Sequence, residues 1–384
     1  MLQVDLFYEI LYQNLFNDFA CYHFKNGVIN PSLGNKNIKV FTPKLDTDTK
    51  IFFYDQEPFI PEVINHYVDL FMTLEAKNTV LVTSERSPMV DSTKFTNKFY
   101  YFFHGFAALD WYRGHYALNY NKQVIKNYKN DFISFNRIIN YDRSYRIYFV
   151  SRLVELGLIN KGKVSFNVTD NLFDDWCDEV SNNKTKLSEH ARRHAEQHLT
   201  GINKLSIDGT DLPGSVSADI PRDIKGYWPN NDLPDVDAFW HIVTETVFYY
   251  DKLHLTEKIF KPIVSKQPFM LLAAPGNLEY LRSYGFKTFE GIIDESYDSI
   301  KDNDARIDAV VAQLKWYCEL DDSDKFEIQR LIHPIVEYNF NHFYTNFRKI
   351  ITDELITNAK NLFNDIGCVP YTDFDQFRTL ILQH

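Results

Sequence analysis

Cysteine is scarce. Four residues, Cys21, Cys177, Cys318 and Cys368, are spread over 384 positions without a Cys-x-x-Cys pair. That excludes a disulfide framework and a zinc knuckle, and it fits a reducing compartment. Long apolar runs are missing too, so no stretch approaches the roughly 20 residues that a membrane helix needs. Residues 1–18 carry acids and no basic n-region, so no signal peptide is expected. The chain therefore reads as soluble and cytoplasmic, in the host cytoplasm if it is viral. Positive charge is also short: 41 Lys and Arg stand against 52 Asp and Glu, for a net charge of −11. Such a balance excludes a protein that coats nucleic acid, while leaving room for a local basic groove. Neither a G-x-x-x-x-G-K-[ST] loop nor a convincing G-x-G-x-x-G occurs, which removes P-loop enzymes and disfavours dinucleotide-dependent ones.

What remains is an ordinary soluble composition, 45% hydrophobic and 24% charged, long enough for two domains with separate cores. Aromatic content is high at 16%, a surplus that, with the many Asn, Lys and Ile, also fits an AT-rich genome. The first 50 residues open with an amphipathic pattern (Leu6, Ile10, Leu11, Leu15) and a β-like segment at 38–41. Strands follow at 50–54 and 79–83 with a helix at 61–72 between them. Each strand exits into acids: Asp55-Gln56-Glu57-Pro58 after the first, Ser84-Glu85 after the second. That rhythm belongs to a parallel sheet, whose carboxyl edge is where an α/β domain keeps its reacting groups. A third strand-like run, 99–103, puts His104 on the same edge, either as a base or as a hydrogen-bonded structural residue.

The pattern restarts after residue 130. Residues 131–137 read as a strand with Asn136 and Arg137 at its exit. A basic helix follows, with Arg143 and Arg146 at i and i+3 on one face, and Gly157 closes it. Two arginines there suit a diphosphate, or else form a solvated face paired with Glu155 and Asp142. From 170 to 237 the chain is polar. It contains His190 and His194 at metal-ligand spacing, for which a solvated helix is the default reading, and an Asp235-Val236-Asp237 of the D-x-D type. The organising stretch is 244–289: a polar lead-in, an abrupt Thr256-Glu257-Lys258, a short helix, a buried strand at 268–274, and a turn at Pro275-Gly276 before another helix. At such a helix start a lysine can meet a phosphate and a glutamate can accept sugar hydroxyls. The alternative is a capping box on Thr256 beside a solvated lysine.

With these residues in view, the chain resembles the α1,3/4-fucosyltransferase family in its bacterial and viral branch. Thr256-Glu257-Lys258 matches the family's Thr-Glu-Lys, Glu245 its upstream acid, and residues 266–270 its step into a strand. His254 stands where that family usually has tyrosine. Arg146 falls where it keeps a diphosphate-binding arginine, and Asp55-Gln56-Glu57-Pro58-Phe59 is similar to its Glu-Ser-Pro segment. The resemblance covers 132–156 and 244–289, more weakly 51–60, and nothing else.

It implies an α/β protein of GT-B architecture, two Rossmann-like domains facing across a cleft. Residues 1–128 would bind the acceptor and 129–350 the donor, with a polar insert around 170–237. A helical tail at 351–384 would pack back on the N-terminal domain. It implies transfer of a hexosyl or pentosyl group from a nucleotide-diphosphate sugar, by default a GDP-sugar, with inversion and no required metal. Glu57 or Asp55 would be the base, and Asn136, Arg137, Arg143, Arg146, Glu245, His254, Thr256, Glu257 and Lys258 would hold the donor. The acceptor would be a glycan or, in a viral setting, a hydroxymethylated DNA base. Alternatives are a non-catalytic binding or virion-associated protein retaining the GT-B fold, and a metal-dependent GT-A transferase built on Asp235 and Asp237.

Overall fold

The structure, a computed structural model, describes residues 4–25, 28–30, 48–59, 76–113, 128–136, 139, 141–166, 186–200, 205–206 and 238–383. The segments expected at 38–41 and 61–72, Arg137, Asp235 and Asp237 lie outside these residues. The chain divides into two compact units. The first comprises Met1–Trp111, Lys252–His254 and Tyr344–His384; the second comprises Tyr112–Asp251 and Leu255–Phe343. The boundaries between these units fall at 111 and 343. The later one lies inside an unbroken helical path, Asp322–His342 (α8), a π turn at Phe343–Phe347, and Arg348–Ile366 (α9), so no glycine or proline marks it in the sequence. No helix among the described residues is long and apolar enough to cross a membrane.

The protein is α/β, and each unit is built on a five-stranded sheet with four parallel strands. In the first unit the strands are β1 (Ala20–Lys25), β2 (Val28–Asn30), β3 (Thr49–Tyr54), β4 (Asn78–Thr83) and β5 (Asn97–Tyr100), in the order β2-β1-β3-β4-β5. Only β2 runs antiparallel. Register pairs Tyr54 with Thr83 and Thr83 with Tyr100, so three strands end on one common edge. Alternate residues of β3 serve opposite faces, as the two-residue period of a strand requires. Phe53 meets Tyr12 and Phe16, with ring centroids at 4.8 and 5.6 Å. Phe52 and Tyr54 meet Phe95 and Phe59 on the other side. Each ring so buried contributes about 1.5–3 kcal/mol.

The amphipathic opening forms helix α1 (Val4–Leu11) and a π turn, Tyr12–Phe16. Its Phe7 stacks on Phe106, and Phe16 stacks on Phe363 of α9, so the C-terminal helices complete this core. The run expected to be strand at 99–103 ends as strand at Tyr100 and becomes helix α2 (Phe103–Trp111). Eight of the nine α2 residues are buried, so the run carries no polar alternation from which a period could be read. His104 accordingly sits in the first turn of α2 and not at a strand tip. Gly105 permits a close approach there: a Cβ would lie 3.0 Å from Phe347 and 3.2 Å from Ile351.

In the second unit β6 (Asn130–Asn136), β7 (Gly162–Phe166), β8 (Leu205–Ser206), β9 (Ala238–Thr244) and β10 (Phe269–Leu272) adopt the order β10-β9-β6-β7-β8. Only β8 is antiparallel. All seven residues of β9 are buried, as a central parallel strand covered on both faces should be. Helix α3 (Tyr145–Glu155) follows β6 and is closed by Gly157 in the left-handed conformation, φ 66°. Helix α4 (Glu189–Leu199) buries Ala191, Ala195 and Leu199, so this part of the 170–237 region has a packed face and is not wholly solvated. Helices α5 (Glu257–Val264), α6 (Asn277–Ser283), α7 (Asn303–Glu319) and α8 complete the unit.

Candidate active site

Strand β6 is the hub of the second sheet. The chain leaves it for β7 on one side and later lays β9 on the other. In open parallel sheets, the ligand crevice lies outside the carboxyl ends of two strands that diverge in this way. Those ends are Asn136 on β6 and Thr244-Glu245 on β9, joined by the Thr244 hydroxyl donating to the Phe135 carbonyl at 2.9 Å. Asn136 is fully buried; its Nδ2 donates to Ser134 Oγ at 3.1 Å, and its Oδ1 has no hydrogen-bond partner among the described residues.

Glu245 is fully buried, turned into the protein rather than presented for sugar hydroxyls. Its carboxylate accepts from the Thr256 hydroxyl at 2.6 Å, the Thr256 amide at 3.2 Å and the Thr246 amide at 3.1 Å. This changes the reading of the helix start. Thr256 is the N-cap of α5, but the third helical residue is Ile259, so Glu257 cannot close a local capping box. Glu245, eleven residues upstream, accepts the cap amide instead. Lys258 is then held at the helix mouth. Its Nζ donates to Thr246 Oγ1 at 3.0 Å, Thr256 Oγ1 at 3.2 Å and Glu257 Oε1 at 3.0 Å, with the side chain 37% exposed.

Arg146, expected to face a diphosphate, is 3% exposed, and its Nη2 donates to the carbonyls of Thr244 at 2.6 Å and Glu245 at 3.2 Å. The Tyr145 hydroxyl adds a third bond to the end of β9, reaching the Glu245 carbonyl at 2.6 Å. Arg146 therefore holds the backbone that carries Glu245. Arg143 does not share its helix face, because it lies in the single turn Tyr141–Arg143 that precedes α3. Of the acids beside this basic segment, Asp142 pairs with Lys186 and Glu155 with Arg152.

Sequence reasoning passed over Arg306, which read as one charge among many in a charged helix. It is 1% exposed and donates to the carbonyls of Ala273 at 3.0 Å, Ile300 at 2.7 Å and Phe248 at 2.9 Å. Burial pulls its pKa down to about 10. By gripping Phe248 and Ala273 it fixes the loop that follows Glu245. Its only sequence signal is an arginine beside apolar Ile307 on a helical face.

In the first unit the strand exits separate into a buried acid and an exposed one. Asp55 is 1% exposed and accepts from the hydroxyls of Tyr8, at 2.9 Å, and Tyr101. Burial, then the Asp55 charge, push both tyrosine hydroxyls well above their ordinary range. Asp55 is thereby tied into the core and poorly placed to meet an acceptor. Glu57 is exposed at the same strand edge.

Glu85, 2% exposed, accepts the Phe59 amide at 2.8 Å and pairs with the equally buried Lys252 at 3.1 Å, and Lys252 Nζ also donates to the Phe59 carbonyl. This ion pair clamps the backbone two residues beyond Glu57. Lys252 was not singled out in the sequence, where it reads as a loop lysine. His254 belongs to the first unit and is 1% exposed, with its ring 5.0 Å from that of His104.

Set against known proteins, the chain matches no family model, no curated protein and no solved structure.

Proposed function

We propose that the protein is a glycosyltransferase of the GT-B type that moves a sugar from a nucleotide-diphosphate sugar to an acceptor hydroxyl, with inversion and without a metal in the transfer step. The observation that carries this reading is Lys258. It is a part-exposed ammonium held by two threonines at the N-terminus of α5, beside the strand ends where the second sheet changes direction. A helix mouth with a fixed cation favours a phosphate-bearing ligand. The Thr-Glu-Lys resemblance supports the same assignment.

In this mechanism the second unit binds the donor. Lys258 and the first-turn amides of α5 take the diphosphate, and Glu257 takes a donor hydroxyl. Glu245 and Arg146 act as positioning residues, since both are buried and bonded to the loop that presents Lys258. The first unit supplies Glu57 as general base. The acceptor hydroxyl gives its proton to Glu57 while its oxygen bonds to the anomeric carbon. The bond from that carbon to the diphosphate breaks in the same step, and its electron pair goes to the leaving oxygen, whose charge Lys258 stabilises. The acceptor is a glycan or, in a viral setting, a hydroxymethylated DNA base.

A thermal-shift panel with GDP, UDP, CMP and ADP, each with and without EDTA, tests this function, because a ligand that binds only the folded state raises Tm. One nucleotide should raise Tm by the same increment in both buffers, and Lys258→Ala should abolish the increment. A folded sample that none of the four nucleotides shifts would point to a non-catalytic binding protein instead.

A further inference from the structure

The histidine pair at metal-ligand spacing in the sequence, His190 and His194, is not the pair the fold brings together. His190 is exposed, with Nε2 3.3 Å from the Tyr148 hydroxyl. His194 and His198, one turn further along α4, lie with ring centroids 4.4 Å apart, and Glu155 at the end of α3 joins them. One ligand atom from each of these three residues lies within 4.8 Å of the other two.

The surroundings of His194 set which nitrogen is available. Ser151 Oγ donates to the Tyr148 carbonyl at 2.7 Å and also lies 2.9 Å from His194 Nδ1. A hydroxyl has one proton, so with that proton on the carbonyl, Oγ accepts from Nδ1–H. The neutral ring then bears its lone pair on Nε2, which faces Glu155 Oε2 at 3.0 Å. A lone pair and a carboxylate oxygen at that distance repel unless a proton or a metal ion lies between them. Two ligand atoms on one tetrahedral zinc, each ~2.0–2.1 Å from the ion, are separated by roughly 3.3 Å. A ligating histidine whose second nitrogen is fixed by an outer partner is also the usual arrangement of a zinc site.

We propose that Glu155, His194 and His198 form a zinc site that clasps α4 to α3, with solvent in the fourth position. Two imidazoles and one carboxylate suit a borderline ion such as zinc, and Ser151 is the positioning residue for His194. Arg152, the nearby cation, pairs with Glu155 through the same Oε2 and with Asp308 at 2.8 Å, so zinc takes its place on Glu155 while Asp308 retains it. The clasp is distinct from the candidate transfer site. Arg146 and Glu155 stand nine residues apart on α3, about 13 Å along a helix axis, so the two sites lie at opposite ends of that helix.

The test is zinc titration by calorimetry of the whole chain after chelator treatment and dialysis, with cobalt absorption as a second readout. The expected result is one saturable site per chain and a cobalt d–d band. His198→Ala and Glu155→Gln should remove both, Ser151→Ala should weaken zinc about 10-fold, and His190→Ala should leave binding unchanged. Unfolding midpoints in chelator that match the parent chain would show that the variants fold. The proposal is overturned by the absence of a saturable site in the parent chain. It is equally overturned by binding that survives His198→Ala or that falls as much in His190→Ala, since either outcome means general adsorption to histidines.

Discussion

The Thr256 hydroxyl donates to Glu245 at 2.6 Å, and the Thr256 amide donates to the same carboxylate at 3.2 Å, so one buried acid ties the end of β9 to the start of α5. Lys258, two residues on, is aimed by that joint. The two charges should therefore fail in different ways. Glu245→Ala takes the acceptor away from the Thr256 hydroxyl proton and from two buried amides and should cost about 2–4 kcal/mol in urea unfolding. Lys258→Ala removes a part-exposed ammonium and should cost less than about 1 kcal/mol, while weakening nucleotide binding at least about tenfold. Equal stability losses would mean that Lys258 is only a structural pin.

Glu57 and Asp55 separate by exposure. Glu57→Gln should lower the transfer rate by about 10²–10⁴ and leave the nucleotide-induced Tm increment intact, since it removes a proton acceptor and nothing from the donor site. Unchanged turnover would take the base role away from Glu57. Asp55→Asn should act on stability, because Asp55 accepts from two buried tyrosines.

The Lys252–Glu85 pair is 2% and 1% exposed in its side chains. Lys252→Met strands a buried carboxylate and should destabilise the protein by about 3–5 kcal/mol. Adding Glu85→Gln should recover most of that loss, because the amide oxygen can still accept the Phe59 N–H. A double-mutant cycle reads the coupling directly, and additive losses would show that the pair is not a unit.

His241, in the buried strand β9, should make stability fall in mild acid. Burial first, then the Lys261 charge, hold its pKa down to about 3, against 6.5 for a free histidine. The unfolded chain therefore takes up a proton below pH 6.5 that the folded chain refuses until about pH 3. Stability is full above pH 6.5 and declines as pH falls through that window, by about 2 kcal/mol between pH 7 and pH 5. Urea midpoints across this range should show the slope, and His241→Leu should flatten it. A slope that persists in the variant belongs to another group.

Much of the architecture can be read along the chain. Strands were legible near 50–54, 79–83 and 131–137 because parallel strands are short apolar runs bounded by polar exits. The start of α5 at Glu257 and the close of α3 at Gly157 were legible from their cap residues. The stretch 99–103 was not, because a segment buried on every side has no polar residue to mark its period.

For the candidate site, local spacing places Glu245, Arg146, Asp55 and Lys258 near strand ends or helix starts, and that much needs no fold. Which way each side chain points depends on partners far away in sequence. Arg146 turns inward because carbonyls 98 and 99 residues later lie within its reach, and Asp55 because hydroxyls 47 residues before and 46 after it lie within its own. His194 joins His198 and Glu155, not His190, because the end of α3 meets that turn of α4. A spacing rule describes one element at a time, whereas a buried polar group must find a hydrogen-bond partner wherever the packed chain supplies one. That requirement, met only in the tertiary structure, decided which charges became struts and which stayed open to a ligand.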